Sequence, residues 1–208
     1  MSSKLSVSAS EFVVAADNAI DKSDLNELKR LLSIDKTIID KKYKGDTAIM
    51  KASRRCNGSN VVNFLLENGA NINDKEVRDT IDQTPLIVAA DGGCKEIVEM
   101  LLEAGANIEH RNDQGETALI AAAQNGHKEI VQILLDAGAN INQENADGET
   151  ALELTIKLRH KKDLVDLLLE HGAEASGIKK KRKTNTRRKK RTRQNKRMNK
   201  RRSRKQRK

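Results

Sequence analysis

Residues 84–113 read TPLIVAADGGCKEIVEMLLEAGANIEHRND, and residues 117–147 read TALIAAAQNGHKEIVQILLDAGANINQENAD. Thr84 and Thr117 are 33 residues apart, and Thr150, which opens TALELTIKLRHKKDLVDLLLEHGAEAS, follows after another 33. An earlier copy, TAIMKASRRCNGSNVVNFLLENGANIND, begins at Thr47, 37 residues before Thr84, with one extra residue between its periodic segments and three in the following loop. A fixed period of this length marks small structural units that cannot bury an apolar face alone and must stack on their neighbours.

Each unit predicts two short helices. Thr47, Thr84, Thr117 and Thr150 are N-cap candidates, because a hydroxyl can accept a hydrogen bond from an otherwise orphaned first-turn amide. Pro85, the only proline, falls where a missing N–H costs nothing. The second helix carries Ile97, Val98, Leu101 and Leu102, repeated as Ile130, Val131, Leu134 and Leu135, a spacing that forms one apolar stripe. Gly69, Gly105, Gly138 and Gly172 follow as left-handed C-caps.

TPLIVAA and GHKEIVQILLDAGANIN, at this spacing, resemble the ankyrin repeat from about Ser10 to Ala175. FVVAADNAIDKSDLNELKRLL, with Ala15-Ala16 and Leu28, Leu31 and Leu32, is similar to a capping repeat. The resemblance implies an all-α fold, a solenoid of about five helix-turn-helix units, and the composition beyond it adds a disordered basic C-terminal tail. The expected divisions are a flexible N-terminus over 1–9, a capping repeat over 10–44, and repeats over 45–82, 83–114, 115–147 and 148–178, followed by the tail over 179–208. The Gly-Ala-Asn-Ile repetition and the tail are also similar in style to ankyrin proteins of large DNA viruses of amoebae.

Several positions depart from the family pattern. Met50, Ile87, Ile120 and Glu153 stand where it places a loop-bonding histidine, and Asn71, Asn107 and Asn140 replace its loop aspartate. Weaker loop hydrogen bonding is therefore expected. The interhelix Gly-His survives only as Gly126-His127, where the histidine is expected to be structural.

The chain has 40 Lys+Arg and 30 Asp+Glu, and 20 of the basic residues lie between Lys179 and Lys208 with no acidic residue among them. Residues 1–178 thus hold 20 basic and 30 acidic residues, a body of opposite sign to its tail. Phe12, Tyr43 and Phe64 are the only aromatic residues, which suits thin layers of Leu, Ile, Val and Ala better than one large core. The N-terminus lacks a signal-peptide core and no stretch approaches the length of a membrane span, so a soluble intracellular protein is expected. Cys56 and Cys94 sit in turns of neighbouring units and fit no metal or disulfide spacing; packing or partial exposure in a reducing compartment is the expectation.

Catalysis needs a convergent nucleophile, base or metal set. His110, His127, His160 and His171 are scattered over different units, and Glu96, Glu99 and Glu103 repeat on a solvated helix face. No cofactor is expected and an enzyme ranks a distant third. The resemblance instead implies protein partners bound by a monomer, on an inner face carrying Lys51, Arg54, Arg55, Val88, Asp91, Gln124 and Asn125. That face is expected to grade from a basic end to a neutral and acidic one. Finger loops would add Val77, Arg78, His110, Arg111, Asn112, Glu144 and Asn145.

The tail, KKKRKTNTRRKKRTRQNKRMNKRRSRKQRK, cannot bury a core, and its Arg and Lys suit polyanions. Lys179, Lys180, Lys181, Arg182 and Lys183 resemble a nuclear localisation signal, and Arg187, Arg188, Lys189, Lys190 and Arg191 extend the charge. Without aromatic residues the tail is expected to bind RNA or DNA non-specifically. Two readings stay open. One is an adaptor delivered to the nucleus or nucleolus, with the cytoplasm as the other location. The second is a virion- or ribosome-associated protein whose tail is the active part.

Overall fold

The computed structural model describes residues 7–74, 82–159 and 162–174. The described residues up to Ala173 form one compact unit. Val77, Arg78, His160 and all the tail residues named above lie outside the described residues. Ten α-helices occur among the described residues, in pairs: α1 (Ala9–Lys22) and α2 (Asn26–Ile34), α3 (Ala48–Ser53) and α4 (Ser59–Glu67), α5 (Pro85–Asp91) and α6 (Lys95–Glu103), α7 (Ala118–Gln124) and α8 (Lys128–Asp136), α9 (Ala151–Lys157) and α10 (Lys162–Glu170). The first helix of each pair packs on the next in chain order, α1 on α3, α3 on α5, α5 on α7 and α7 on α9. A second row is formed by α4, α6 and α8.

Helices of six or seven residues are too short to persist alone, so caps and packing must hold them. At α3, α5, α7 and α9 the oxygen of Thr47, Thr84, Thr117 or Thr150 accepts from the amide three residues on, at 3.4 Å in each case. The glycine caps end the second helices as expected: Ala106 N–H, just past Gly105, donates back to the Leu101 carbonyl at 2.9 Å. Small residues let the first helices approach closely, with Ser53, Ala90 and Ala123 buried at equivalent positions. The second-helix stripes of Ile97, Val98 and Leu101, and of Ile130, Val131 and Leu134, close the other side of the same core.

The last unit breaks this pattern in a way that packing explains. Glu153 is partly exposed where Met50, Ile87 and Ile120 are buried, and it closes a capping box with Thr150. Ile156 is 54% exposed where its counterparts Ser53, Ala90 and Ala123 are covered by the next first helix. No further first helix lies over α9 among the described residues.

At the other end, Ser8 caps α1 by accepting from Glu11 N–H at 3.2 Å, while the Glu11 carboxylate accepts from Ser8 N–H at 2.8 Å. The Ser8 backbone N–H, then its hydroxyl, hold the Glu11 carboxyl below its ordinary value of 4.5. A carboxyl depressed on folding contributes stability in full above its unfolded value, and that contribution is lost as pH falls through the lower folded value. Protection factors of the first-turn amides of α1 are therefore expected to fall below about pH 4.5, and Glu11→Gln to remove most of that dependence. Hydrogen exchange followed by NMR across the acid range checks this.

The loop asparagines are nonetheless hydrogen-bonded within and between units. Asn71, Asn107 and Asn140 each use the side-chain oxygen to accept from the backbone N–H two residues on, at 3.1, 3.1 and 3.2 Å. Each also donates its own N–H to a side chain of the preceding unit: to Asp40 at 2.7 Å, to Asn73 at 2.9 Å and to Glu109 at 2.7 Å. Asn73 and Glu109 are themselves the residues two past an asparagine, so the bonds chain from unit to unit. Asparagine retains the acceptor oxygen that this turn requires.

The cysteines correct an expectation. Cys56 and Cys94 form a disulfide, with Cα atoms 4.6 Å apart, between the α3–α4 turn and the α5–α6 turn. Their sequence separation of 38 matches no repeat interval, because Cys56 sits one position earlier in its unit than Cys94 does. Gly58 ends the 3-10 turn Cys56–Gly58 that fills the extra length. A Cβ there would lie 2.5 Å from the Ala52 carbonyl oxygen, which belongs to the α3 backbone. Only glycine lets the turn fold against α3 with Cys56 facing the next unit.

Candidate interaction face

The expected basic end is not free. Arg54 donates to Asp46 at 2.6 Å, and Arg55 donates to Asp21 at 2.6 Å and lies 3.4 Å from Asp17. Lys51 lies 3.5 Å from the other Asp17 oxygen. The α1 carboxylates thus meet the cations of α3 and its turn, and Asp46, 1% exposed, gives Arg54 a buried acceptor. Asp17 Oδ1 makes no hydrogen bond and is held by charge alone. Pairing of partly exposed groups contributes little to stability but cancels the field that an unpaired cluster would project. The grading from a basic end disappears for this reason.

Val88 corrects a second placement. At 6% exposure it is part of the packed row rather than a contact residue. Asp91, Gln124 and Asn125 are exposed, and Asn125 Nδ2 donates to Asp91 at 2.8 Å across adjacent units. His127 is structural as expected: its Nε2–H donates to the Asp91 carbonyl at 3.0 Å, and its ring sits against Gly93. The same offset that selects Gln124 and Asn125 selects Lys157 and Leu158 in the last unit, which the sequence reading left out. Lys157 donates to Glu149 at 2.8 Å, which raises its pKa above the ordinary lysine value, and Leu158 is 47% exposed.

The named finger residues mostly shape the fingers. Asn112 is 5% exposed and accepts from the N–H groups of Gln114 and Glu116 at 3.0 and 2.9 Å. Asn145 repeats this with Asp147 and Glu149 at 3.1 and 2.9 Å. Arg111 spans both fingers, donating to the Gly115 carbonyl at 3.1 Å and the Glu144 carbonyl at 2.8 Å, while Ala146 N–H donates to the Gln114 carbonyl at 2.8 Å. His110 Nε2–H donates to the Asp82 carbonyl at 3.4 Å. Between the last two fingers and α9 lies an open groove of about 520 Å³, bordered by Asp113, Gln124, Asp147, Leu154, Lys157 and Leu158.

Gly115 is the point on which the paired fingers turn. Its φ is +72°, and a Cβ would lie 2.8 Å from Ala146 N and 2.7 Å from Arg111 Nη2. Gly115→Ala is therefore expected to combine left-handed strain of about 1 to 2 kcal/mol with loss of the finger-to-finger bonds, roughly 1 kcal/mol each. Urea denaturation monitored by circular dichroism should show a destabilisation of about 2 to 4 kcal/mol.

The sequence matches the family model of ankyrin repeats (3 copies) over residues 14–112 and 105–179. The chain belongs to the ankyrin-repeat family. An Ankyrin repeat and KH domain-containing protein of Caenorhabditis briggsae is 48% identical over 46 residues, which are 22% of this chain and 2% of that protein. Ankyrin repeat and KH domain-containing protein mask-1 of Caenorhabditis elegans is 50% identical over 46 residues, again 22% and 2%. The matched region thus spans about 2% of the length of these relatives. Ankyrin repeats are protein–protein interaction modules. No helix among the described residues is long and apolar enough to cross a membrane.

Proposed function

We propose that this ankyrin protein is an adaptor: the first-helix face and the fingers hold a protein, and the basic tail delivers it to the nucleus or to nucleic acid. The observation that carries this reading is the division of charge, with 20 Lys+Arg and no acidic residue after Ile178. Segregation on this scale exceeds what solubility needs and matches the requirements of polyanion binding. On the body, the exposed Asp91, Gln124 and Asn125, continued by Lys157 and Leu158, are the contact residues that the geometry favours. Lys51, Arg54 and Arg55 can join them only by giving up carboxylate partners. The reading assigns no catalytic step.

Two chains test this, the full protein and one lacking Lys179–Lys208, each labelled and expressed in cells. The truncated chain is expected to keep its protein partners in affinity purification and to lose nuclear accumulation. Retained nuclear accumulation and RNA binding after truncation would place recognition in the repeats. The tail carries far more charge than the five residues Lys179 to Lys183, and this surplus favours a second reading, a nucleic-acid-associated structural protein. Recovery of RNA or DNA with the full chain, without any stoichiometric protein, would select it.

A further inference from the structure

The two sulfurs bridge adjacent repeats at a position where the next junction uses a different bond. His127 occupies in its unit the place of Cys94, and it joins its repeat to the preceding one through the Asp91 carbonyl. Cys94 joins its repeat to the preceding one through Cys56. One junction is thus held by a hydrogen bond and the other by a bond that thiol chemistry can open. The sulfurs also differ in access: Cys56 is exposed, whereas Cys94 is 2% exposed.

We propose that the Cys56–Cys94 bond is a site of reversible thiol–disulfide exchange with low-molecular-weight thiols of the glutathione class, entered at Cys56. The small thiolate attacks the Cys56 sulfur, and the bond to Cys94 breaks. The electron pair leaves with the Cys94 sulfur, which takes a proton from water, so a mixed disulfide remains on Cys56. A second small thiolate attacks the small-thiol sulfur of that mixed disulfide, and the pair leaves with the Cys56 sulfur, which is protonated in turn. Two small thiols become one small disulfide, and the protein gains two electrons and two protons.

The reduced state has a place to rest. The Gly92 carbonyl lies 3.6 Å from Cys56 Sγ and 3.8 Å from Cys94 Sγ, so a thiol formed at either residue keeps an acceptor in the adjoining turn. A weak S–H···O contact then stands where His127 makes its N–H···O contact one repeat later. Opening the bond loosens one junction and leaves the caps and the asparagine chain in place. The exchange does not depend on what the face binds.

The test uses the full chain in reduced and oxidised glutathione mixtures of varied ratio, quenched with acid and mapped by peptide mass spectrometry. The adduct is expected on Cys56, and Cys94→Ser is expected to accumulate it. Cys56→Ser is expected to react at Cys94 about tenfold more slowly, since access there needs local opening. Reduction is expected to lower the thermal midpoint by about 10 °C, the effect of releasing a closed loop of this length. The Cys56→Ser/Cys94→Ser chain should show the lower midpoint at every ratio and retain its helical circular dichroism. Equal reactivity of the two sulfurs, a wild-type midpoint indifferent to glutathione, or loss of helical signal on reduction would each overturn the proposal.

Discussion

Leu101→Ala and Leu134→Ala are each expected to cost about 2 to 5 kcal/mol, the range for truncating a fully buried leucine that leaves a cavity. Both side chains are wholly buried, in α6, which packs between α4 and α8, and in α8, which packs on α6. In a stack held by nearest-neighbour junctions, weakening an interior unit also weakens its coupling to both sides. The denaturation curve is therefore expected to broaden or divide as well as shift. Paired urea titrations read by circular dichroism and by exchange at the α1 and α10 amides would resolve this. A single unshifted transition in both variants would contradict the packing described.

Binding of the full chain to duplex DNA is expected to weaken by roughly 10⁵-fold between about 50 and 200 mM salt if some ten phosphates are neutralised. The corresponding plot of log affinity against log salt has a slope of about −9, the counterion-release value for B-DNA. Probes of different sequence should bind almost equally, because the tail has no aromatic residue to stack on bases. Fluorescence anisotropy over a salt series measures both quantities. A shallow slope with strong sequence preference would contradict the proposed role of the tail.

The features legible in the sequence are those written locally. A threonine three residues before an orphaned amide, a glycine past the last apolar pair and an apolar stripe are each contained within one unit. Repetition made them unambiguous. Two residues misread as surface are Val88, covered by first helices a full unit away, and Asn112, which turns inward to fold its own finger. Arg55 looked like free charge because its partner, Asp21, lies 34 residues upstream in a capping repeat that only partly matches the period. The disulfide ran against the reducing compartment expected for the chain, although Cys56 and Cys94 lie in turns of neighbouring units. Lys157 and Leu158 were legible, since the offset that picked Gln124 and Asn125 applies unchanged in the next unit.

The chained asparagine bonds bear on how such an array changes length over evolutionary time. The donor at each junction is a main-chain amide, which every duplicated unit brings with it. The acceptor can be aspartate, asparagine or glutamate, as Asp40, Asn73 and Glu109 show. A whole unit can therefore be inserted or removed by recombination and still leave every amide facing a usable oxygen. Such a joint is indifferent to the lineage of the neighbouring unit, and drift at the acceptor carries little penalty while an oxygen remains.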